Sequence, residues 1–280
     1  MIDPAALVAR PPIETRQRLS KKDTILYALG VGADELDFVY EGRLQALPTM
    51  AVVLTYAGFF WRDQEAELGA DWRQILHGEQ SVTIHQPLPI EGDFIGWTRF
   101  DGVEDKGAGK GAVVLVTRTI EGRDGTLYAI DRRTAFLRGD GGCGSAGEAI
   151  PRPAPAPVDR APDAVVRLAT AANQALIYRL SGDLNPLHAD PDAARAAGFE
   201  QPILHGLGTY GIVGRAVLLA LAGNDPSRLK RLDGRFSAPV FPGETIETRI
   251  WRTGESSAAF DARVVERDVR VLTHGLVELA

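Results

Sequence analysis

Apolar and polar residues alternate along several short stretches of this chain. From 80 to 87, Val82 and Ile84 stand between polar neighbours, the period-two pattern of a half-buried strand. The pattern returns at 94–102, 111–120 and 126–137, separated by turn-forming clusters such as Glu121-Gly-Arg-Asp-Gly125. Strands that follow one another through short turns predict an antiparallel sheet, which needs a helix or a second sheet on its apolar face. A short helix is expected over 23–33, capped by Asp23 or Thr24 and ended by glycines. Residues 49–68 mix apolar side chains with Phe59-Phe-Trp61, and a core segment of helix and strand is expected there.

From 139 to 162 the pattern gives way to Gly, Ala and Pro, centred on Pro151-Arg-Pro-Ala-Pro-Ala-Pro157, the composition of a semi-extended linker. This predicts a first domain over 1–145, a linker over 146–163 and a second domain over 164–280. The second domain repeats the plan of the first. An entry strand is expected at 165–170, a buried central helix at 207–221, and strands at 231–237, 245–252, 258–265 and 269–277. Two local echoes support duplication: Ile75-Leu-His-Gly78 with Ile203-Leu-His-Gly206, and Gln86-Pro with Gly92-Asp93 against Ala238-Pro with Gly243-Glu244. In the first echo, however, Gly78 enters a strand pattern and Gly206 a helix pattern. The fold class is α+β with two similar halves.

Composition narrows the functions. The chain has 280 residues, 45% hydrophobic and 24% charged, enough for two globular domains. A formal net charge of −6 with no basic tract argues against nucleic-acid binding, so an anionic ligand needs a local cationic patch. The single Cys143 excludes an intrachain disulfide and a multi-cysteine zinc site. No basic segment precedes a long apolar one at the start, and the C-terminal tripeptide is not a peroxisomal address. The longest apolar run, 207–221, is interrupted by Gly211, Gly214 and Arg215, which argues against a membrane span. The expectation is a soluble, cytoplasmic protein.

Chemistry concentrates in Tyr178-Arg-Leu-Ser-Gly-Asp-Leu-Asn-Pro-Leu-His-Ala-Asp-Pro191. A short helix pattern over 171–180 can end at Gly182, and Pro186 pushes Asn185 out of the helical region, so 183–188 should be an irregular loop. Asp183 and His188 are five residues apart around a proline turn. A carboxylate and an imidazole that share one water form a general acid–base pair, and Asn185 is placed to orient that water. Gly206 opens the apolar run, so its N–H is a free donor at a helix N-terminus, suited to a developing oxyanion. Such a set fits addition to, or elimination from, a double bond activated by a carbonyl, and also ester or thioester hydrolysis. Ser181 lacks the flanking glycines of a nucleophile elbow, and His188 stands where a calcium loop needs glycine. No metal is expected.

Residues 178–194 match every fixed position of Y-x-L-S-G-D-x-N-P-L-H-x-D-P-x-x-A, and so resemble the hydratase 2 family of MaoC-like, (R)-specific 2-enoyl-CoA hydratases. Asp23-Thr-Ile-Leu-Tyr-Ala-Leu-Gly-Val-Gly-Ala33, Leu76-His-Gly-Glu79, Asp105-Lys-Gly-Ala-Gly-Lys110 and Ala197-Gly-Phe-Glu-Gln-Pro-Ile-Leu-His-Gly-Leu207 extend the resemblance to the two-domain form. It implies a double hot-dog fold, two antiparallel sheets each wrapped around a central helix, with one active site per chain and acyl room in the first half. It implies catalysis by Asp183 and His188 with Asn185 and Gly206, and substrate contacts from His77, Gly78, Lys106 and Phe236. It also implies an acyl-CoA thioester substrate, no cofactor beyond the CoA that the substrate carries, and a homodimer. The reaction implied is reversible hydration of trans-2-enoyl-CoA to (3R)-3-hydroxyacyl-CoA. Biosynthetic dehydration, a hot-dog thioesterase and a non-catalytic acyl-CoA-binding subunit are the alternatives. His205 is expected to be structural, Tyr178 a buried anchor or a substrate neighbour, and Ser181, Asp190 and Pro191 loop architecture.

Overall fold

Strands dominate the computed structural model, which describes residues 1–56 and 60–280. They are β1 (Ile13–Leu19), β2 (Ile75–Ile84), β3 (Gly92–Asp105), β4 (Ala112–Gly122), β5 (Leu127–Leu137), β6 (Ala146–Gly147), β7 (Ala164–Ala169), β8 (Leu229–Phe236), β9 (Thr245–Arg252), β10 (Ser257–Val264) and β11 (Val269–Leu279). The helices are α1 (Pro4–Val8), α2 (Lys21–Gly30), α3 (Leu36–Val39), α4 (Phe60–Asp63), α5 (Glu65–Leu68), α6 (Gln174–Tyr178), α7 (Pro191–Ala196) and α8 (Gly206–Leu221). The alternation expected around Val82 and Ile84 is present, with both side chains buried in β2, which begins earlier than predicted at Ile75.

All strands join one antiparallel sheet in the order β1-β3-β4-β5-β2-β8-β11-β10-β9-β7, with β6 beside β3. Outward from the β2–β8 seam, β5, β4, β3 and β1 correspond to β11, β10, β9 and β7. That mirrored order is the duplication expected from the sequence, and the architecture is the double hot-dog, its two sheets continuous across the seam. Of the two echoes, only the second joins equivalent places: Gln86-Pro to Gly92-Asp93 links β2 to β3 as Ala238-Pro to Gly243-Glu244 links β8 to β9. Ile75 to Gly78 lies in β2 whereas Ile203 to Gly206 leads into α8, so the first echo is not structural.

The central helices differ. α8 is buried almost all round, as its mostly apolar run requires, and forms the axis of the second half. A Cβ at Gly211 would stand 2.4 Å from Val31 and one at Gly214 2.5 Å from Thr49, so glycine here lets the first half pack onto the helix backbone. In the first half the equivalent position holds a five-residue 3₁₀ turn, Pro48–Val52, wholly buried. The expected helix and strand over 49–68 are therefore this turn, α4 and α5, with no strand among the described residues; residues 57–59, including Phe59, lie outside them. The physical reason is beneath the turn. Arg118 of β4, fully buried and ion-paired with Asp131 of β5 at 2.7 Å, donates to the Val52 carbonyl at 2.8 Å. A guanidinium there satisfies the end of the turn where a longer helix would use its own amides.

α2 also differs from expectation at its start. Its cap is Ser20, whose hydroxyl accepts from the Asp23 N–H while the Asp23 carboxylate accepts from the Ser20 N–H, a reciprocal capping box. Asp23 is thus the third helical residue rather than the cap. At the other end, second-half side chains receive the helix carbonyls. Gln174 donates to Leu29 and Gly30, and Arg215 donates to Val31 and Gly32 while holding both oxygens of Glu35 at 3.0 and 2.9 Å. One apolar core runs through both halves. The proline-rich segment crosses the surface and is tied at intervals, by β6, by Arg152 to Glu104 and by Ala156 against Trp251. Among the described residues no helix is long and apolar enough to cross a membrane.

Candidate active site

The loop between α6 and α7 takes its shape from local hydrogen bonds. α6 tightens into a 3₁₀ turn, Arg179–Ser181, and stops at Gly182, whose φ of +124° suits glycine alone. The Asp183 carboxylate accepts the Asn185 N–H at 3.1 Å, and Asn185 Oδ1 accepts the Leu187 N–H at 3.1 Å. Pro186 then begins a single turn, Pro186–His188. Asp190 caps α7 and Pro191 is its first residue, the architectural roles expected of them. Asn185 is in part such a brace as well; among the described residues its amide nitrogen is the end left for a ligand.

His188 is buried, and its Nδ1 lies 2.8 Å from the Ile203 carbonyl. A carbonyl only accepts, so Nδ1 carries the hydrogen and Nε2 the lone pair. Burial lowers the basicity of His188, against the opposing pull of the Asp183 charge. One polar atom from each of Asp183, His188 and His205 lies within 4.8 Å of the others. Two acceptors at that separation can both hold one water, since each hydrogen bond spans about 2.8 Å.

His205, the residue before α8, stacks on His188 with ring centroids 3.7 Å apart and planes at 27°. Its Nε2 is 3.1 Å from the Asp183 main-chain carbonyl, and burial first, then His188, pushes its basicity down to about 2. Stacked rings direct their in-plane lone pairs side by side rather than toward one point, and one nitrogen of each is spent on a carbonyl. This is a poor frame for a metal ion.

Gly206 is the first residue of α8 and exposed, and His205 provides no side-chain cap, so among the described residues the first N–H groups of the helix have no side-chain cap. A Cβ on Gly206 would come within 3.2 Å of the Phe236 ring, so a side chain here would crowd the donor. Phe236 in turn meets His77 across the seam, rings 4.8 Å apart and near perpendicular. His77 stands at a bulge: β2 pairs with β5 through His77 opposite Ala135 and then Glu79 opposite Thr134, leaving Gly78 extra. Burial lowers His77 to about 4 and its Nε2 contacts the Glu79 carbonyl.

The structure thus brings Asp183 and His188 together, with Asn185 on the same loop and Gly206 directly after His205, and it sets Phe236 against Gly206 and His77 against Phe236. Lys106 stands away, in the β3–β4 turn, paired with Glu104 at 2.7 Å. The ladder sets Asp105 opposite Ala112, Ala112 opposite Leu137 and Leu137 opposite Ile75. Asp105 is therefore three strand spacings, or ~14 Å, from Ile75, and Lys106 is at the same end of the sheet as His77 but farther from it than that.

Sequence reasoning missed the cluster under the first half. Asp131 bridges Arg118 and Arg133 and accepts from Gln80, and the Tyr56 ring lies 5.7 Å from both guanidinium carbons. The Tyr56 phenol is raised mainly by burial, with the Asp183 charge among the smaller causes, so this cluster borders the loop. Its signal was legible: Arg118 shares the inward parity of Val114, Val116 and Ile120, where a charge demands a buried partner.

Residues 18–139 match the family described as the MFE-2 hydratase 2 N-terminal domain, and residues 153–274 the family described as MaoC like domain. A probable enoyl-CoA hydratase 2 of Dictyostelium discoideum is 42% identical over 274 residues, spanning 95% of this chain and 92% of that one. The 3-hydroxyacyl-thioester dehydratase Y of Mycobacterium tuberculosis is 43% identical over 270 residues, spanning 92% and 91%. The crystal structure of a MaoC-like dehydratase from Phytophthora capsici, 33% identical, superposes with a TM-score of 0.88 over 98% of this chain and 97% of that one. Both halves, their order and their fold agree, and the chain belongs to the two-domain, MaoC-like hydratase 2 family of hydro-lyases.

Proposed function

We propose that this hydro-lyase adds water to trans-2-enoyl-CoA thioesters to give (3R)-3-hydroxyacyl-CoA, and that Asp183 and His188 activate the water. The observation that carries this is the pair itself: a carboxylate and an imidazole whose polar atoms come within 4.8 Å, with His188 Nδ1 spent on the Ile203 carbonyl, which leaves Nε2 the lone pair. The water oxygen bonds to C3 as the pair takes one of its protons. The double-bond electrons pass to the thioester oxygen, where the Gly206 N–H at the start of α8 receives the enolate, and C2 then collects a proton. Asn185 orients the water. No metal or cofactor enters beyond the CoA of the substrate.

In this reading the second half, 164–280, performs the chemistry and the first, 1–145, accommodates the substrate. A cavity of about 170 Å³ supports that division. It is lined by Leu19, Leu26, Met50 and Leu54 of the first half and by Ser181 and Gly182, the two residues before Asp183. His77, Gly78 and Phe236 flank the thioester, and Lys106, at the same end of the sheet, meets a CoA phosphate. The chain acts as a homodimer in the cytoplasm, which light scattering and cell fractionation test.

The reverse reaction, dehydration of a 3-hydroxyacyl thioester, uses the same groups, and one relative carries that name. Incubating the protein with crotonyl-CoA and a longer trans-2-enoyl-CoA, while following enoyl absorbance and free thiol together, separates the readings. Loss of absorbance without thiol release supports hydration. Thiol release would make it a thioesterase, and tight binding without turnover a carrier subunit.

A further inference from the structure

We propose that His205 is a positioning residue for the Asp183–His188 pair: its Nε2–H pins the Asp183 peptide, and its ring closes one face of the His188 ring to water. This rests on the hydratase reading above and adds a residue to it.

Both contacts are explicit. His205 is 1% exposed, its Nε2 lies 3.1 Å from the Asp183 carbonyl oxygen, and its ring covers that of His188 at 3.7 Å. The carbonyl fixes the tautomer, because Nε2 must donate and Nδ1 must hold the lone pair. That Nδ1 is buried, and among the described residues it has no partner. A position filled for packing alone is served better by an aromatic hydrocarbon, which leaves no polar atom unmatched. Histidine is the smallest side chain that offers a flat ring and an edge donor together, tryptophan and tyrosine being larger. The unmatched nitrogen is the cost of having both in one side chain.

The two contacts have separable consequences. Pinning the peptide sets where the Asp183 carboxylate points, a matter of geometry. Covering the imidazole removes water from one face, which disfavours the charged form and keeps His188 a base at lower pH. The groups that face the pair are Asp183 on its own loop, His205 at the start of α8, Arg179 and Tyr178 from the preceding turn and helix, and Tyr56 from the first half. Among them His205 is the one that touches both members. It stays neutral itself, since its burial and its neighbours hold it far below the ordinary imidazole range.

His205→Phe keeps the stack and loses the donor; His205→Gln keeps a donor near Nε2 and loses the stack. The test measures kcat/KM against pH for hydration of a trans-2-enoyl-CoA in the wild type and both variants, with ¹⁵N spectra of the imidazoles. His205→Phe is expected to lose about 10²-fold in kcat with KM and the acid limb unmoved. His205→Gln is expected to raise the acid limb by about one pH unit. In the wild type, His205 should keep its Nε2–H tautomer and not titrate between about pH 5 and 8.

Variants with the wild-type rate and profile, or variants indistinguishable from each other, would overturn the proposal. So would a wild-type His205 that titrates in that range, a result that stands even where a variant does not fold. A wild type without hydration activity defeats the hydratase reading instead, and the spectra still judge His205 by whether His188 titrates higher in the Gln variant than in the Phe variant.

Discussion

The two halves share one strand order and differ in what each sheet encloses. The second encloses sixteen residues of α8, whose N-terminus opens beside the Asp183 loop. The first encloses a five-residue turn whose last carbonyl is received by Arg118, a cation with no solvent access, ion-paired to Asp131. Duplicated sheets therefore do not require duplicated interiors. A long helix brings its N-terminus beside the Asp183 loop, whereas the short turn leaves space for a cavity and meets a buried charge at its end.

This contrast predicts opposite phenotypes. In the second half, His188→Ala should lower kcat by about 10²–10⁴-fold, as loss of a general acid–base group does, with the unfolding midpoint little changed. In the first half, Arg118→Met should instead destabilise the protein by about 3–5 kcal/mol in denaturant titration, because Asp131 keeps a buried charge without its main partner. An Arg118→Met protein of native stability would mean that the turn is held by packing alone.

The third expected effect is on pH. His77 and His205 are neutral in the fold, lowered to about 4 and about 2 chiefly by burial, and His188 is lowered as well. The unfolded chain binds protons on these groups below about pH 6.5 and the folded chain does not, so their contribution is complete above that value. Stability should fall as pH drops from about 6.5 toward 4, which thermal melts across that range would show. A melting temperature flat through this window would contradict the burial of these rings. The smallest effect is expected at Ser20→Ala, which removes half of the α2 capping box and should cost about 1 kcal/mol.

Much of this was legible because it is periodic or contiguous. The strands follow from alternation, α8 from a long, mostly apolar run, and the loop from a dense string of polar residues between a glycine and a proline. What was not legible depends on contacts far apart in sequence. Nothing near 49–68 announces that Arg118, some sixty positions later, ends the turn at Val52. His205 reads as an ordinary residue at a helix start until the fold lays its ring on His188. The Ser20 cap was missed for a local reason, since Asp23 is the commoner-looking cap and only the reciprocal bond assigns the roles.

On this reading, one loop in the second half performs a stereospecific hydration. Its most direct test is to run trans-2-enoyl-CoA through the wild type and Asp183→Asn, and to read the product with an (R)-specific 3-hydroxyacyl-CoA dehydrogenase. The wild type should give (3R) product and the variant almost none, with both proteins folded. Equal turnover by Asp183→Asn, or a (3S) product, would contradict it.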